Sequence, residues 1–378
     1  MNGLRTLRTL RTVGFCLVIA CAAVVSPAAV VSSAAAAEPG TTAGPGTAAH
    51  ADWSALPVPP AAAPPAVSDL AARGPDEVWA TGSEQAADGQ RPMLYRWDGT
   101  AWRRDTTFPG AEEPGRLGKV RFVGEETWIF RTRDGAGEIL RRSAEGTWST
   151  VPLPQTLWAY QDFVAVPGAA WVVGEDSTGL KVLHYDGSRW TLQPTPDGVL
   201  YLMGITARTA TDAWAWADTS TGAGTVVLHW DGTQWRDAEV PLPTNSNVHT
   251  MLLELAGRMT IVGSQYTDSV GRTYLMTWNG RDWRTTYPAL GDTDASGMVR
   301  GPDRALWLPV RSDRAFQSKY ARLDGRRITY SYGPERTNAI LVKPRALATV
   351  GDSLLSFGTV EIYGSKPNLM SERLGGRR

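Results

Sequence analysis

The chain has 378 residues, with 38 basic side chains, 38 acidic side chains and two cysteines. Residues 1–37 hold both cysteines, three of the arginines and no acidic residue, so the remainder carries 38 − 3 = 35 basic against 38 acidic side chains, a net charge of about −3. This balance argues against a nucleic-acid partner, because phosphate binding needs a strongly basic face. Without cysteine after residue 37, packing and not disulfides must hold the fold together.

The N-terminal segment has the pattern of an export signal. Three arginines open the chain, an apolar run follows as far as Val31, and small residues precede Ala37. We expect residues 1–37 to be a signal peptide cleaved after Ala37, followed by an Ala-, Pro- and Gly-rich linker over 38–49 and a secreted product. The alternative is a lipoprotein anchored through Cys21, because Val-Ile-Ala-Cys resembles a lipobox. No later apolar run reaches the ~18 residues of a membrane span.

From residue 50 onward the sequence repeats one unit. Four copies of a hairpin signature are LYRWDGTAW from Leu94, LHYDGSRW from Leu183, LHWDGTQW from Leu228 and MTWNGRDW from Met276. The closing position of the unit falls at Trp53, Trp102, Trp148, Trp190, Trp235, Trp283 and Ile328, in steps of 42 to 49 residues. A period in the forties that consists of short strands predicts the blades of a β-propeller.

Each unit predicts a four-stranded antiparallel blade, and the last hairpin predicts how blades pack. Asp98-Gly99 suits a two-residue turn, which would place Trp97 opposite Thr100 and Tyr95 opposite Trp102. Side chains alternate across a strand, so these aromatic residues share one face. An aromatic face repeated around a ring predicts a packing layer between neighbouring blades.

Seven inner-strand signatures predict an all-β, seven-bladed β-propeller over residues 50–370, followed by a basic tail over 371–378. The segment HADWSALPVP from His50 resembles a fourth strand with no blade before it. The last unit begins near Ile340 and ends after three strands. We therefore expect the N-terminal strand around Trp53 to complete the last blade, because ring closure removes exposed sheet edges.

The unit resembles the kelch and galactose-oxidase-like group of β-propellers over residues 50 to 370. Its second strand ends in an apolar residue and a glycine (Gly82, Gly174, Gly263 and Gly358), its third strand ends in an aromatic residue and Asp or Asn, and a Trp opens the fourth. The closest description is an exported bacterial propeller of this kind. The double glycine of kelch repeats is absent. A copper radical oxidase is nearly excluded, because that resemblance would require a cysteine and the mature chain has none.

One acidic loop is the candidate metal site. GDTDASG matches the start of a calcium loop at Asp292, Asp294 and Ser296. Asp303 falls at the twelfth position of that loop, but an inner strand over 297–301 would carry it away at ~3.3 Å per residue. We therefore expect a solvated loop, with calcium as the alternative, and no other cofactor.

Catalytic motifs are sparse. There is no G-x-S-x-G elbow and no P-loop, and most acidic residues fall in turns. His184 and His229 occupy the same repeat position, which favours polar-face residues of the third strand over a metal pair. The sequence therefore assigns no catalytic residue.

The binding surface is predicted from propeller geometry. The loops that join blades, and those that join second and third strands, lie on one face around the central channel. Aromatic residues beside charged groups there suit a carbohydrate or peptide ligand; the candidates are Trp158, Tyr160, Tyr266, Asp268, Tyr287, Arg311, Asp313, Tyr332 and Arg336. We expect a monomeric, exported, non-enzymatic binding scaffold for a glycan or protein ligand. The alternative is an extracellular glycan- or peptide-active hydrolase with two carboxylates about 5 to 10 Å apart at the channel mouth.

Overall fold

The computed structural model describes residues 52–375 apart from 155–156, 158, 220–223, 255–256, 268–269, 291–296 and 326. The chain divides into two units, Met1–Ala48 and Ala49–Arg378, and all described residues belong to the second. The predicted signal peptide and linker lie outside the described residues. Within the described part, no helix has the length and apolar character needed to cross a bilayer.

The described residues form 28 strands, which make seven four-stranded antiparallel sheets. Blade 1 contains β2 (Pro65–Gly74), β3 (Glu77–Ala86), β4 (Gly89–Trp97) and β5 (Trp102–Arg104). Blade 2 contains β6 (Arg116–Val123), β7 (Glu126–Arg133), β8 (Ala136–Arg142) and β9 (Trp148–Pro152). Blade 3 contains β10 (Ala159–Val166), β11 (Ala169–Asp176), β12 (Gly179–Tyr185) and β13 (Trp190–Gln193). Blade 4 contains β14 (Val199–Thr209), β15 (Asp212–Thr219), β16 (Thr225–Trp230) and β17 (Trp235–Asp237). Blade 5 contains β18 (Ser246–Leu253), β19 (Met259–Thr267), β20 (Val270–Trp278) and β21 (Trp283–Thr286). Blade 6 contains β22 (Val299–Arg300), β23 (Leu306–Val310), β24 (Lys319–Asp324) and β25 (Arg327–Tyr332). Blade 7 contains β26 (Ala339–Val350), β27 (Ser353–Ile362), β28 (Asn368–Leu374) and, from the other end of the chain, β1 (Trp53–Leu56).

Blade 7 confirms the predicted ring closure. The strand β1 pairs antiparallel with β28, so that Trp53 lies opposite Leu374 and Leu56 lies opposite Ser371. The predicted end of the propeller at residue 370 is too early, because β28 runs to Leu374 and Glu372 within it is fully buried. Residues 371–374 therefore belong to the last strand and not to a tail.

An aromatic and ionic cluster joins blades 6 and 7 at this closure. The Trp53 ring stacks on Tyr320 with centroids 3.8 Å apart, and its Nε1 donates to Ser331 Oγ at 2.9 Å. The carboxylate of Glu372 accepts hydrogen bonds from the Tyr320 hydroxyl at 2.7 Å and from Arg336. Burial, with the Glu372 charge beside it, raises the pKa of the Tyr320 hydroxyl well above its usual value. These contacts attach both terminal strands, β1 and β28, to blade 6 and its following loop without a covalent link.

The register of the last hairpin differs from the prediction. Trp97 pairs with Trp102 and Tyr95 pairs with Arg104, so the turn contains four residues, 98–101, and not two. The Asp98 carboxylate is the cause, because its Oδ1 accepts from the N–H groups of residues 100 and 101 at 2.9 and 2.8 Å. Trp97 and Trp102 still lie on one face of the hairpin, as predicted, and their ring centroids are 5.7 Å apart.

The same Asx turn closes blades 3, 4 and 5. The acceptors are Asp186, Asp231 and Asn279, each bonded to two N–H groups of its own turn. The hydroxyl of Thr233, followed by these N–H groups, lowers the pKa of Asp231 to about 2. The repeated Asp-Gly or Asn-Gly motif is therefore a side-chain-capped turn.

The repeated glycine at the end of the second strand has a steric reason. A Cβ added to Gly82 would lie 2.1 Å from the carbonyl oxygen of Ala66, and one added to Gly358 would lie 2.1 Å from that of Lys343. In both blades the first strand has a β-bulge opposite the glycine. The bulge brings backbone so close that only a residue without a side chain fits.

Candidate functional site

The candidate site is a cleft of about 980 Å³, called here the main cleft. It spans blades 5, 6 and 7 on the face formed by the blade-joining loops and the loops between second and third strands. The inner strand of blade 6, β22, has two residues, whereas β18 and β26 on either side have eight and twelve. The ends of strands in the neighbouring blades therefore contribute much of the lining.

A histidine and a serine form one wall. The Nε2 atom of His249 on β18 lies 2.8 Å from Ser264 Oγ on β19. The His249 residue is exposed, and partial desolvation beside the cleft walls lowers the pKa of its imidazole, which favours the neutral form. A neutral imidazole paired with a hydroxyl offers both a donor and an acceptor to a bound molecule.

Three cationic side chains also line the main cleft: Arg272, Arg311 and Lys343. The Arg272 guanidinium carbon lies 4.0 Å from the ring centroid of Tyr287, a cation–π contact. The Nζ atom of Lys343 lies 3.1 Å from Glu361 Oε1. The described lining residues include no aspartate and no glutamate.

Two of the predicted ligand residues, Tyr266 and Arg311, line the main cleft. Tyr266 is 44% exposed, which leaves much of its ring accessible. Tyr287 supports Arg272 from beside the cleft. The candidates Trp158 and Asp268 lie outside the described residues, as do Asp292, Asp294 and Ser296 of the candidate calcium loop.

The remaining predicted ligand residues lie elsewhere. Tyr160 packs on Phe130, 5.1 Å between ring centroids, and borders two smaller clefts of about 380 and 250 Å³, which are lined by residues of blades 1, 2 and 3. Asp313 accepts a hydrogen bond from the Tyr332 hydroxyl at 2.9 Å. Arg336 binds the buried Glu372 and its side chain is 16% exposed, so its charge serves the closure of the ring.

Among the lining residues that sequence reasoning missed are His249, Ser264, Arg272 and Lys343. His249 and Lys343 lie on inner strands, which the prediction treated as structural, and Arg272 lies just after a loop tip. Their positions in the strands could have indicated them, because side chains within two or three residues of these strand ends also reach the loop face. A search limited to loops therefore finds only part of the lining.

A second cleft, also of about 980 Å³, lies at the closure between blades 6 and 7 and includes Trp53, Trp307 and Asp303. Here Arg322 Nε donates to Asp303 Oδ2 at 2.5 Å and Trp307 Nε1 donates to Oδ1 at 3.1 Å. Asp303 follows β22 in the loop before β23, as the strand argument predicted. It thus supports blade 6 at its far end.

The two histidines at the repeated third-strand position have packing roles. The His184 ring is buried between Trp171 and Trp230, with centroids 4.9 and 5.1 Å away. His229 lies on Trp214, and its Nε2 is 3.1 Å from Asp212 Oδ1. Over the described ranges, no three His, Cys, Asp or Glu side chains come together as a metal site.

Two carboxylates on inner strands are held between blades. Asp69 Oδ2 accepts from the Val120 N–H at 3.0 Å and from Arg121 at 2.6 Å. Asp162 Oδ2 accepts from the Ile205 N–H at 3.0 Å and from Lys119 at 2.9 Å. Each therefore links its own blade to the next one and neutralises a cation.

This architecture defines a seven-bladed β-propeller, and comparison with known proteins agrees. The fold is similar to streptogramin B lyase, with a TM-score of 0.58, 13% identity, and 86% of this chain and 98% of that one covered. It is also similar to hydrazine synthase from Kuenenia stuttgartiensis, with a TM-score of 0.55, 10% identity, and 81% of this chain and 95% of that one covered. For a polysaccharide lyase the TM-score is 0.50 and the identity 8%, with 79% of this chain and 88% of that one covered. No family model and no curated protein matches the chain. At these identities the likeness shows the fold alone.

Proposed function

We propose that the chain is an exported, non-enzymatic binding scaffold that holds a glycan or peptide in the main cleft. The observation that carries this proposal is the composition of the cleft. An exposed Tyr266 ring, a His249–Ser264 pair and three cations converge on one concave surface. Aromatic faces with a few placed polar groups are the usual means of holding such ligands. The repeated strand-ending glycines support membership of the kelch and galactose-oxidase-like group.

The competing proposal is a hydrolase or another glycan- or peptide-active enzyme. Several structural neighbours are enzymes, among them a lyase of streptogramin B, a polysaccharide lyase and prolyl endopeptidases. Glycoside hydrolysis needs two carboxylates about 5 to 10 Å apart. Of the described carboxylates, none lines the main cleft, and Asp69 and Asp162 are bonded between blades. This arrangement favours binding over hydrolysis.

A glycan and peptide array probed with the purified mature chain tests the proposal. Each hit is then incubated with the protein and its length is followed by mass spectrometry. Binding without turnover supports a scaffold, whereas shortened products establish the enzyme. The variant Tyr266→Ala is expected to weaken binding, and Tyr363→Ala is the matched control because Tyr363 is 81% exposed and does not line the cleft. Equal loss in both variants would contradict the placement of the site.

Export is part of the same proposal. The basic start, the apolar run and the small residues before Ala37 support cleavage there and a secreted product. Intact-mass measurement of the protein from the native host is the test. A mature N terminus at residue 38 is the expected result, and a lipid-modified Cys21 would establish the lipoprotein alternative instead.

A further inference from the structure

We infer that the ligand is a linear glycan chain that lies along the mouth of the central channel, from the main cleft past blade 4 to a groove in blades 1, 2 and 3. This inference rests on the proposed function and specifies the form of its ligand and a second contact region. It goes beyond that function because a ligand held in the main cleft alone would satisfy the proposal.

A β-bulge at the same position of several inner strands turns one side chain of each blade into the central channel. The bulged residues include Ser68 in blade 1, Gln161 in blade 3, Met203 in blade 4 and His249 in blade 5. All four are exposed, although each lies within an inner strand whose outer side is paired with the second strand of its blade. Because a bulge re-aims a side chain, their exposed surface faces the channel.

The second contact region, called here the blade 1–3 groove, combines the two smaller clefts that Tyr160 borders. Arg116 and Tyr160 line both clefts, so that the two are continuous. The bulged Ser68 and Gln161 line the channel side of the groove. The Tyr160 hydroxyl accepts from the Leu157 N–H at 3.2 Å, which leaves its own proton to be donated. Hydroxyl, amide and guanidinium groups beside an aromatic ring suit the hydroxyl groups of a sugar.

An exposed apolar stretch of β14 connects the blade 1–3 groove with the main cleft, because blade 4 lies between blades 3 and 5 in the ring. Leu200, Tyr201 and Met203 are 44%, 42% and 52% exposed. Leu200 and Met203 both lie at bulges of this strand. Clustered apolar side chains that remain exposed mark interaction sites. The C–H faces of sugar rings pack on such side chains, so this stretch suits the middle of a glycan chain.

The same bulges favour a glycan over an extended peptide. A peptide that adds a strand to a sheet edge needs a regular row of backbone groups. The inner strands of blades 3, 4 and 5 are each interrupted by a bulge, which disrupts that row on their channel-facing edges. Sugars are instead held by side-chain hydrogen bonds and by apolar faces, and the bulges present these to the channel.

The test is calorimetric titration of the mature chain with cello-, chito- and galacturono-oligosaccharides, each as a series from disaccharide to octasaccharide. In a series that binds, affinity should rise by about tenfold or more from the shortest to the longest member, because the second contact forms within the same complex. Gln161→Ala and Met203→Ala should each weaken binding of the longest member by about threefold or more. Both should leave the shortest member unaffected, since the larger main cleft holds it, whereas Tyr266→Ala should weaken both.

Leu192→Ala is the matched control, because Leu192 is 52% exposed, like Met203, but lies on the outer strand β13. Melting temperatures of the variants must match the parent, so that lost binding is not lost folding. Affinity that does not change with length, or parent-like binding of the longest member by both Gln161→Ala and Met203→Ala, would overturn the inference and leave the proposed function intact. An array with peptide hits alone would overturn the choice of a glycan, and an array without any hit would remove the proposed function itself.

Discussion

Truncation of Trp235, the closing residue of blade 4, is expected to destabilise the ring strongly. The side chain is 5% exposed and belongs to an apolar cluster with Leu228, Trp230 and residues of blade 3, including Val164. Its ring centroid lies 5.7 Å from that of Trp230. A buried tryptophan covers about 200 Å², which at ~25 cal/mol per Å² corresponds to roughly 5 kcal/mol. An alanine side chain keeps a small part of this buried area, so Trp235→Ala should lower the free energy of unfolding by about 4 kcal/mol. This lies within the ~3–5 kcal/mol typical of such truncations.

The substitution removes no hydrogen bond, because Trp235 Nε1 has no partner among the described residues. The expected loss of about 4 kcal/mol therefore comes from packing alone. The matched variant is Trp283→Ala, which removes the residue at the same repeat position of blade 5, where the side chain is only half-buried. It should cost about half as much.

Thermal unfolding of both variants at one scan rate is the assay. With a shift of roughly 2 °C per kcal/mol for a chain of this size, we expect the melting temperature to fall by roughly 8 °C for Trp235→Ala and roughly 4 °C for Trp283→Ala. If the two variants fall equally, burial in the cluster between blades does not set the cost, and the packing argument is refuted.

Three further predictions concern turns and closure. Asp231→Asn should keep the stability of the parent near pH 7, as Asn279 occupies the same position in blade 5, whereas Asp231→Ala should lower the melting temperature. The pKa of Asp231 is lowered to about 2, so its contribution to the stability of the folded chain is present above pH ~4 and is lost as pH falls towards 2. Melting temperatures of the parent and of Asp231→Ala, measured as a function of pH, test this. A difference between the two that does not change with pH would contradict it. Glu372→Gln should lower the free energy of unfolding, measured with denaturant, by about 3–5 kcal/mol, because the largely buried Arg336 loses its charged partner. An unchanged denaturation midpoint would refute the role of Glu372 in ring closure. Trp53→Ala should speed proteolytic cleavage over residues 57–64, unless β1 stays paired without its indole.

The architecture was predictable from the sequence because its signal is periodic. Each closing Trp marks one blade, and an unpaired copy at Trp53 implied the closure that β1 and β28 make. The turn register was not predictable from Asp98-Gly99 alone. A carboxylate that accepts two N–H groups allows a four-residue turn, which competes with the two-residue turn for the same dipeptide.

The main cleft was only partly predictable, because it depends on how three blades meet. Tyr266 and Arg311 were found because loops of a propeller gather on one face. The cation–π contact that orients Arg272 joins the third strand to the connection after the fourth, and no local motif encodes that distance. Lys343 reaches the cleft from the neighbouring blade, and its role follows from the curvature of the ring.

The pairing of β1 with β28 also dictates an order of assembly. Ser54 and Arg373, which pair across this closure, are 319 residues apart in the chain. The strand β1, the first of the described strands in the chain, therefore lacks its partner until β28 is available, while the six intervening blades can form from local hairpins. Contacts of such long range are slow to form, because the chain must lose the entropy of the whole loop first. We expect the pairing of β1 with β28 to be the rate-limiting step of folding. Chaperones that shield a free strand edge should act before this pairing forms.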